Sequence, residues 1–210
     1  MDKTYIRWKY NNFNTLRIIM KNINLFLVLT ILTSSLASCQ TVVNLHNTYP
    51  TNTPNTYYKD IGDKLNPYEG TWVLDDGVSY IKIVLVKKVK FPVWQYFEDC
   101  IIGGFQYKKN GVEIINTLID INSNQSDPIH YPISGNWIGD PSRTPFSQYT
   151  SDNSYLKLSI RENDCFSDIY VRRLTLNGQI AIQIFKRKPM DLHQVCNPVI
   201  PQDFHYLIKQ

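Results

Sequence analysis

The 210-residue chain has no long apolar run, no excess of one charge outside its first 38 residues, and no clustering of histidine with cysteine. A helix needs about 20 apolar residues to cross hydrocarbon. The longest apolar run, Leu25–Leu32, is far shorter, so a spanning helix is excluded. Gly-x-Ser-x-Gly and His-Glu-x-x-His are both missing, which removes the usual hydrolase elbow and zinc-protease helix. The four histidines, His46, His130, His193 and His205, stand apart and no two cysteines are close. No metal site is therefore expected, and no cofactor. Nucleic-acid binding needs a basic footprint. The first 38 residues hold five of the 22 basic and one of the 18 acidic residues, leaving 17 of each behind them. Helical patterning is also absent beyond the leader, where β-branched runs, Gly103-Gly104 and prolines at 128, 132, 141 and 145 interrupt every stretch of helical length.

What is present begins with an address. The apolar run is followed by Thr33-Ser34-Ser35 and then Leu36-Ala37-Ser38-Cys39, the order of a signal peptide ending in a lipobox. Small residues at 37 and 38 let the chain lie extended in a peptidase cleft, and the Cys39 thiol can take a diacylglyceryl group through a thioether. Residues 1–38 read as signal peptide and Cys39 as the lipidated first residue of the mature chain. Met20-Lys21-Asn22 makes a better beginning than Met1, because Trp8, Tyr10 and Phe13 sit in a long polar stretch foreign to such leaders. Gln40 after the cysteine is compatible with sorting to the outer membrane. The acyl chains make the membrane itself a partner; which face is occupied stays open.

With Cys39 lipidated, Cys100, Cys165 and Cys196 remain in a disulfide-permissive compartment and allow one bridge, in any of three pairings. Residues 39–67 are rich in Asn, Thr, Pro and Tyr without periodicity and read as a flexible tether, although Tyr49, Tyr57 and Tyr58 could pack on the domain. Residues 68–210 read as one all-β domain. The basic pairs Lys87-Lys88, Lys108-Lys109, Arg172-Arg173 and Lys186-Arg187-Lys188 read as solubilising charge at turns and sheet edges.

Three dipeptides punctuate that domain: Asp76-Gly77, Asn110-Gly111 and Asn177-Gly178, each between apolar or alternating runs. Tight hairpins favour such pairs because both central residues take positive φ. They predict hairpins joining Gly70–Asp75 to Ser79–Lys88, Cys100–Lys108 to Val112–Ile121, and Ser167–Leu174 to Gln179–Lys186. Alternation adds strands at Tyr155–Arg161, with Leu156, Leu158 and Ile160 inward, and at Phe204–Lys209, with Phe204, Tyr206 and Ile208 inward. About 8–10 strands in this length define an antiparallel up-and-down barrel, with a β-sandwich as the alternative. The region Asn122–Asn153 is the least regular and serves either as a binding loop or as short irregular strands.

Gly70-Thr71-Trp72, opening the first strand, resembles the Gly-x-Trp motif of lipocalins. That resemblance implies a lipocalin-like barrel with Trp72 at one end, near any ligand, and a supporting arginine for which Arg172 or Arg173 is the candidate. More broadly, Gly70-Thr71-Trp72, the segment Lys109-Asn110-Gly111-Val112-Glu113-Ile114-Ile115-Asn116 and the Ile200-Pro201-Gln202 entry to the last strand resemble a family of small uncharacterised Gram-negative lipoproteins. It implies a lipid-anchored domain of unknown function and carries no active-site residues with it. Three functions are compared on these residues. The first is a non-enzymatic envelope binding domain for an apolar molecule or peptide, drawing on Trp94, Tyr96, Phe97 and Phe105. The second is a structural or protein-interaction lipoprotein. The third, an enzyme built on His130, Asp140, Arg143 and Glu162, is not expected, because three polar residues in a polar loop are ordinarily solvated surface.

Overall fold

The computed structural model describes residues 20, 40–139, 154–163, 165–187, 198–202 and 204–210. Leu36, Ala37, Ser38 and Cys39 lie outside them, as do Asp140, Arg143 and Cys196. The chain divides into two units, Met1–Gln40 and Thr41–Gln210, and the strands lie in the second.

Among the described residues eleven strands are formed: β1 (Thr41–Asn44), β2 (Thr56–Lys59), β3 (Gly70–Asp75), β4 (Ser79–Val93), β5 (Tyr96–Lys109), β6 (Val112–Asn116), β7 (Ile133–Gly139), β8 (Tyr155–Glu162), β9 (Cys165–Leu176), β10 (Gln179–Lys186) and β11 (Phe204–Lys209). Eight of them, β3-β4-β5-β7-β8-β9-β10-β11, close on themselves through the β3–β11 and β5–β7 pairings, every contact antiparallel. This is the up-and-down barrel. The three expected hairpins turn where their Asn-Gly and Asp-Gly pairs stand, with Asn110, Gly111, Asn177, Gly178 and Gly77 all at positive φ.

The second hairpin is shorter than expected. β6 ends at Asn116 and pairs only with the late part of β5, from Gln106 to Lys109. β7 then takes the same edge of β5 further back, opposite Ile101–Gly103. The residues between form an excursion over the outside of β5, where Tyr131 and Ile121 join Phe91, Val93, Cys100 and Ile102 in a small second core. So the expected irregular region contains a barrel strand. This is the irregular-strand alternative, and Gly135 with a bulge between Ser134 and Trp137 breaks the strand's alternation.

The main core fills the barrel with Trp72, Ile81, Ile83, Leu85, Ile101, Phe105, Ile133, Leu156, Leu158, Ile160, Val171, Ile182 and Leu207. Gly103 and Gly104 permit strand closeness that no side chain would. A Cβ at Gly103 would lie 2.4 Å from the Val84 carbonyl, and one at Gly104 would lie 2.6 Å from that of Thr117.

Two expectations need correction. In β11 the inward residue is Leu207, and Tyr206 is exposed. The register sets this: Lys209 pairs with Trp72 and Leu207 with Ile182, both core residues, so odd-numbered positions face in. A one-residue shift in register inverts every side chain. Residues 41–67 are also not a tether. β1 pairs with β2 and β2 with β5, both in parallel, and Leu45, Tyr58 and Leu65 enter the main core. Their burial supplies what a polar composition alone could not.

Candidate binding cleft

The N-terminal arm is fastened by one carboxylate. After β2 the chain turns at Asp60, whose Oδ1 accepts from His46 Nε2 at 2.6 Å and the Lys64 N–H at 2.9 Å. Its Oδ2 accepts from the Leu65 N–H at 3.0 Å and from Lys87 Nζ at 2.7 Å. Burial disfavours the charged form, but the bonds from His46, Lys87 and Leu65 outweigh it and hold the carboxyl below its ordinary value. Lys87 is likewise pulled down by burial but carried above its ordinary value by Asp60 and Asp63. The Asp60 N–H donates to Asp99 Oδ2, and Asp99 Oδ1 takes the Tyr57 hydroxyl at 2.6 Å. Lys87 is therefore not surface charge. It joins β4 to the arm.

This network presents one face of a cleft of about 130 Å³. Leu45, Tyr49, Pro50 and Trp137 give it apolar walls, and His46, Asn47, Thr48 and Asn136 give it polar groups. The β7 bulge aims Asn136 and Trp137 here. Trp137 is 37% exposed and starts a row of rings over the outer barrel face, 5.5 Å from Tyr155, which lies 5.5 Å from Tyr170, itself 6.3 Å from Phe185. His46 has one ring nitrogen on Asp60, while its buried Nδ1 has no hydrogen-bond partner among the described residues. An orphaned buried polar atom costs roughly 1–3 kcal/mol. Behind the cleft, Asn136 Nδ2 donates to the Asp99 carbonyl at 3.4 Å, and its amide also acts on the neighbouring Glu98. Burial raises this carboxyl to about 7, with Asp127 and Asp99 adding to the rise and the Asn136 bond opposing it.

The barrel interior is different. Among the described residues, Ile81, Ile83, Ile160, Ile184, His205 and Leu207 enclose a space of about 10 Å³, room for one water at most. Lys186 borders it, buried and paired with Glu162, and donates to the Ile200 carbonyl at 2.9 Å, while Glu162 accepts the Ile200 N–H at 2.7 Å. Burial pulls Lys186 below its ordinary value against the attraction of Glu162.

Trp72 is fully buried where β3 begins, its indole N–H donating to the Tyr68 carbonyl at 2.9 Å. It is a plug in the core and does not border the interior space. The cation over its ring is Lys209, at 5.3 Å, and the charge of Arg173 acts on Tyr68, whose carbonyl holds the indole. Arg172 instead donates to Gln183 at 2.7 Å on the outer face. His130 is exposed, its backbone N–H donating to the Asp127 carbonyl and its carbonyl accepting from Arg161, whereas Glu162 is committed to Lys186. Cys100 is free and buried, and Cys165 is disulfide-bonded to a cysteine outside the described residues. This leaves Cys39 or Cys196 as the partner. Among the described residues no three His, Cys, Asp or Glu side chains group as metal ligands.

Sequence reasoning missed the cleft. Its walls come from residues 45–50 and 136–137, and only the isolated aromatics in polar surroundings, Tyr49 and Trp137, hinted at it.

Fold and site define a small, closed, lipocalin-like antiparallel barrel with a cleft on its outside. The chain belongs to the family of unknown function DUF6705, whose model matches residues 20–189. No curated protein and no solved structure matches it.

Proposed function

We propose that this is a cell-envelope lipoprotein, acylated at Cys39 and held on the outer membrane, whose barrel is a rigid, non-enzymatic scaffold for recognition at the outer cleft. One contrast among the described residues carries the reading: a space of about 10 Å³ between Ile81, Ile160, Ile184 and Leu207 against about 130 Å³ in the outer cleft. Pockets for whole small molecules run to several hundred Å³. A space of 130 Å³ suits one ring or side chain of a larger partner, so the binding reading becomes one of peptide or protein recognition. Trp137 and Tyr49 supply the stacking surface, and His46 Nδ1 a polar contact. His46 gives one ring nitrogen to Asp60 and keeps Nδ1 for the partner, which would offer a hydrogen-bonding group beside an apolar face.

The test is photo-crosslinking in intact membranes from a benzoylphenylalanine placed at position 137. A discrete protein adduct, lost when His46 is changed to Phe, is expected. No adduct from positions 137 and 49, together with a stoichiometric apolar molecule in an organic extract, would overturn it in favour of a barrel ligand.

A further inference from the structure

We infer that the tip of the β4–β5 hairpin is a membrane-seating foot that places Trp94 among phospholipid headgroups beside the acylated Cys39. The inference rests on the lipidation reading above.

Trp94 is 82% exposed, the most exposed large apolar residue of the barrel unit among those described. It is also held at φ 50°. The other tight hairpins place Asn or Gly at positive φ, which those residues tolerate. A bulky aromatic there is an outlier, and a strained, solvent-facing tryptophan points to function more than to folding.

The tip is tied to the start of the mature chain. The Asn55 N–H donates to the Gln95 carbonyl at 3.1 Å, and the Thr41 N–H donates to the Asn55 carbonyl at 3.1 Å. Cys39 precedes Thr41 by two residues, at most about 7 Å of extended chain. Because β1 is a strand paired to β2 and not a tether, acyl chains at Cys39 would bring Trp94 to the same interface. Val42, next along β1, is 54% exposed, and exposed Lys90 lies 5.2 Å from the Phe97 ring centre, on the same hairpin. Indole rings favour the headgroup region, apolar body inward and N–H wet, and a lysine nearby meets lipid phosphate.

The acyl chains would supply the anchorage and Trp94 the orientation. The cleft starts at Leu45, four residues beyond Thr41 along β1, or about 13 Å at strand spacing. A seated tip therefore holds the cleft off the bilayer at a fixed height.

The test uses the full chain, produced in a host that processes lipoproteins and reconstituted into phosphatidylcholine–phosphatidylglycerol vesicles, with brominated phosphatidylcholine as quencher of tryptophan emission. Quenching of the wild type is expected, lost in Trp94→Asn, which suits the backbone, and retained in Trp137→Phe. Equal quenching of Trp94→Asn and wild type, or an unquenched wild type, overturns the foot. Intact mass of the same preparation reads acylation separately. A chain without acyl mass on Cys39 refutes the lipidation reading, and the Trp94 dependence of quenching still decides the foot.

Discussion

Lys209, next to the last residue of the chain, holds its ammonium 5.3 Å above the ring centre of Trp72, at the start of the barrel. The pair faces across the β3–β11 seam, where the register sets only Ile208 against Val73 and Lys209 against Trp72. A seam so short depends on side chains. Trp72→Ala should cost about 3–5 kcal/mol, for the cavity and the lost bond to Tyr68. Lys209→Met keeps most of the apolar stem and should cost about 0.5–2 kcal/mol, the cation–π share. Urea unfolding midpoints of the two variants check both.

Asp60→Asn removes the carboxylate 2.7 Å from Lys87 Nζ and leaves the ammonium only Asp63, at 3.4 Å. Breaking such a pair costs on the order of 3–5 kcal/mol. The sign with pH follows from a carboxyl held below its ordinary value: its contribution is present above the unfolded-state value and is lost as pH falls through the folded one. The wild type should lose this stability only in strong acid, below about pH 4, and Asp60→Asn should lose none there. Thermal melting between pH 3 and 7 separates the two.

Glu98 behaves oppositely. Its carboxyl is raised from 4.5 to about 7 by burial, so the folded state favours the protonated form. That stability is complete below about pH 4.5 and gone above about pH 7. Glu98→Gln, which cannot ionise, should melt higher than the wild type at pH 8, by roughly 3 kcal/mol at most, and match it near pH 4. Equal melting of the two proteins at pH 8 would show that Glu98 is solvated.

Gly103→Ala should be among the most damaging single changes, because its Cβ would meet the Val84 carbonyl and Leu85 from the paired strand. Overpacking typically costs about 1–3 kcal/mol, and backbone is a poor partner to displace. Gly77→Ala, with nothing within 4 Å, is strained only by its φ of +82° and should cost about 1 kcal/mol. Comparing soluble yield and unfolding midpoint of the two tests whether close strand approach outweighs turn strain.

The fold was legible to the extent that it is local. Asp76-Gly77, Asn110-Gly111 and Asn177-Gly178 fix their turns through backbone preferences those residues carry anywhere, and Ile81, Ile83 and Leu85 alternate because one face is buried. Those signals suffice for three hairpins, for β8 and for an all-β barrel. The candidate site was not legible, since Asp60, His46 and Lys87 lie up to 41 positions apart and no local pattern marks them as partners.

By itself, the sequence determined turn positions, strand alternation and a charge-balanced stretch behind an apolar run, because these depend on each residue and its near neighbours. Tertiary structure decided which way β11 faces, that 41–67 forms parallel strands, that Lys186 is buried and Lys87 pairs with Asp60, and where the cleft opens. Each depends on pairing between distant segments, where burial and register outweigh local preference: a polar segment with no pattern of its own becomes a strand once an edge such as β5 offers it hydrogen bonds and a core to enter.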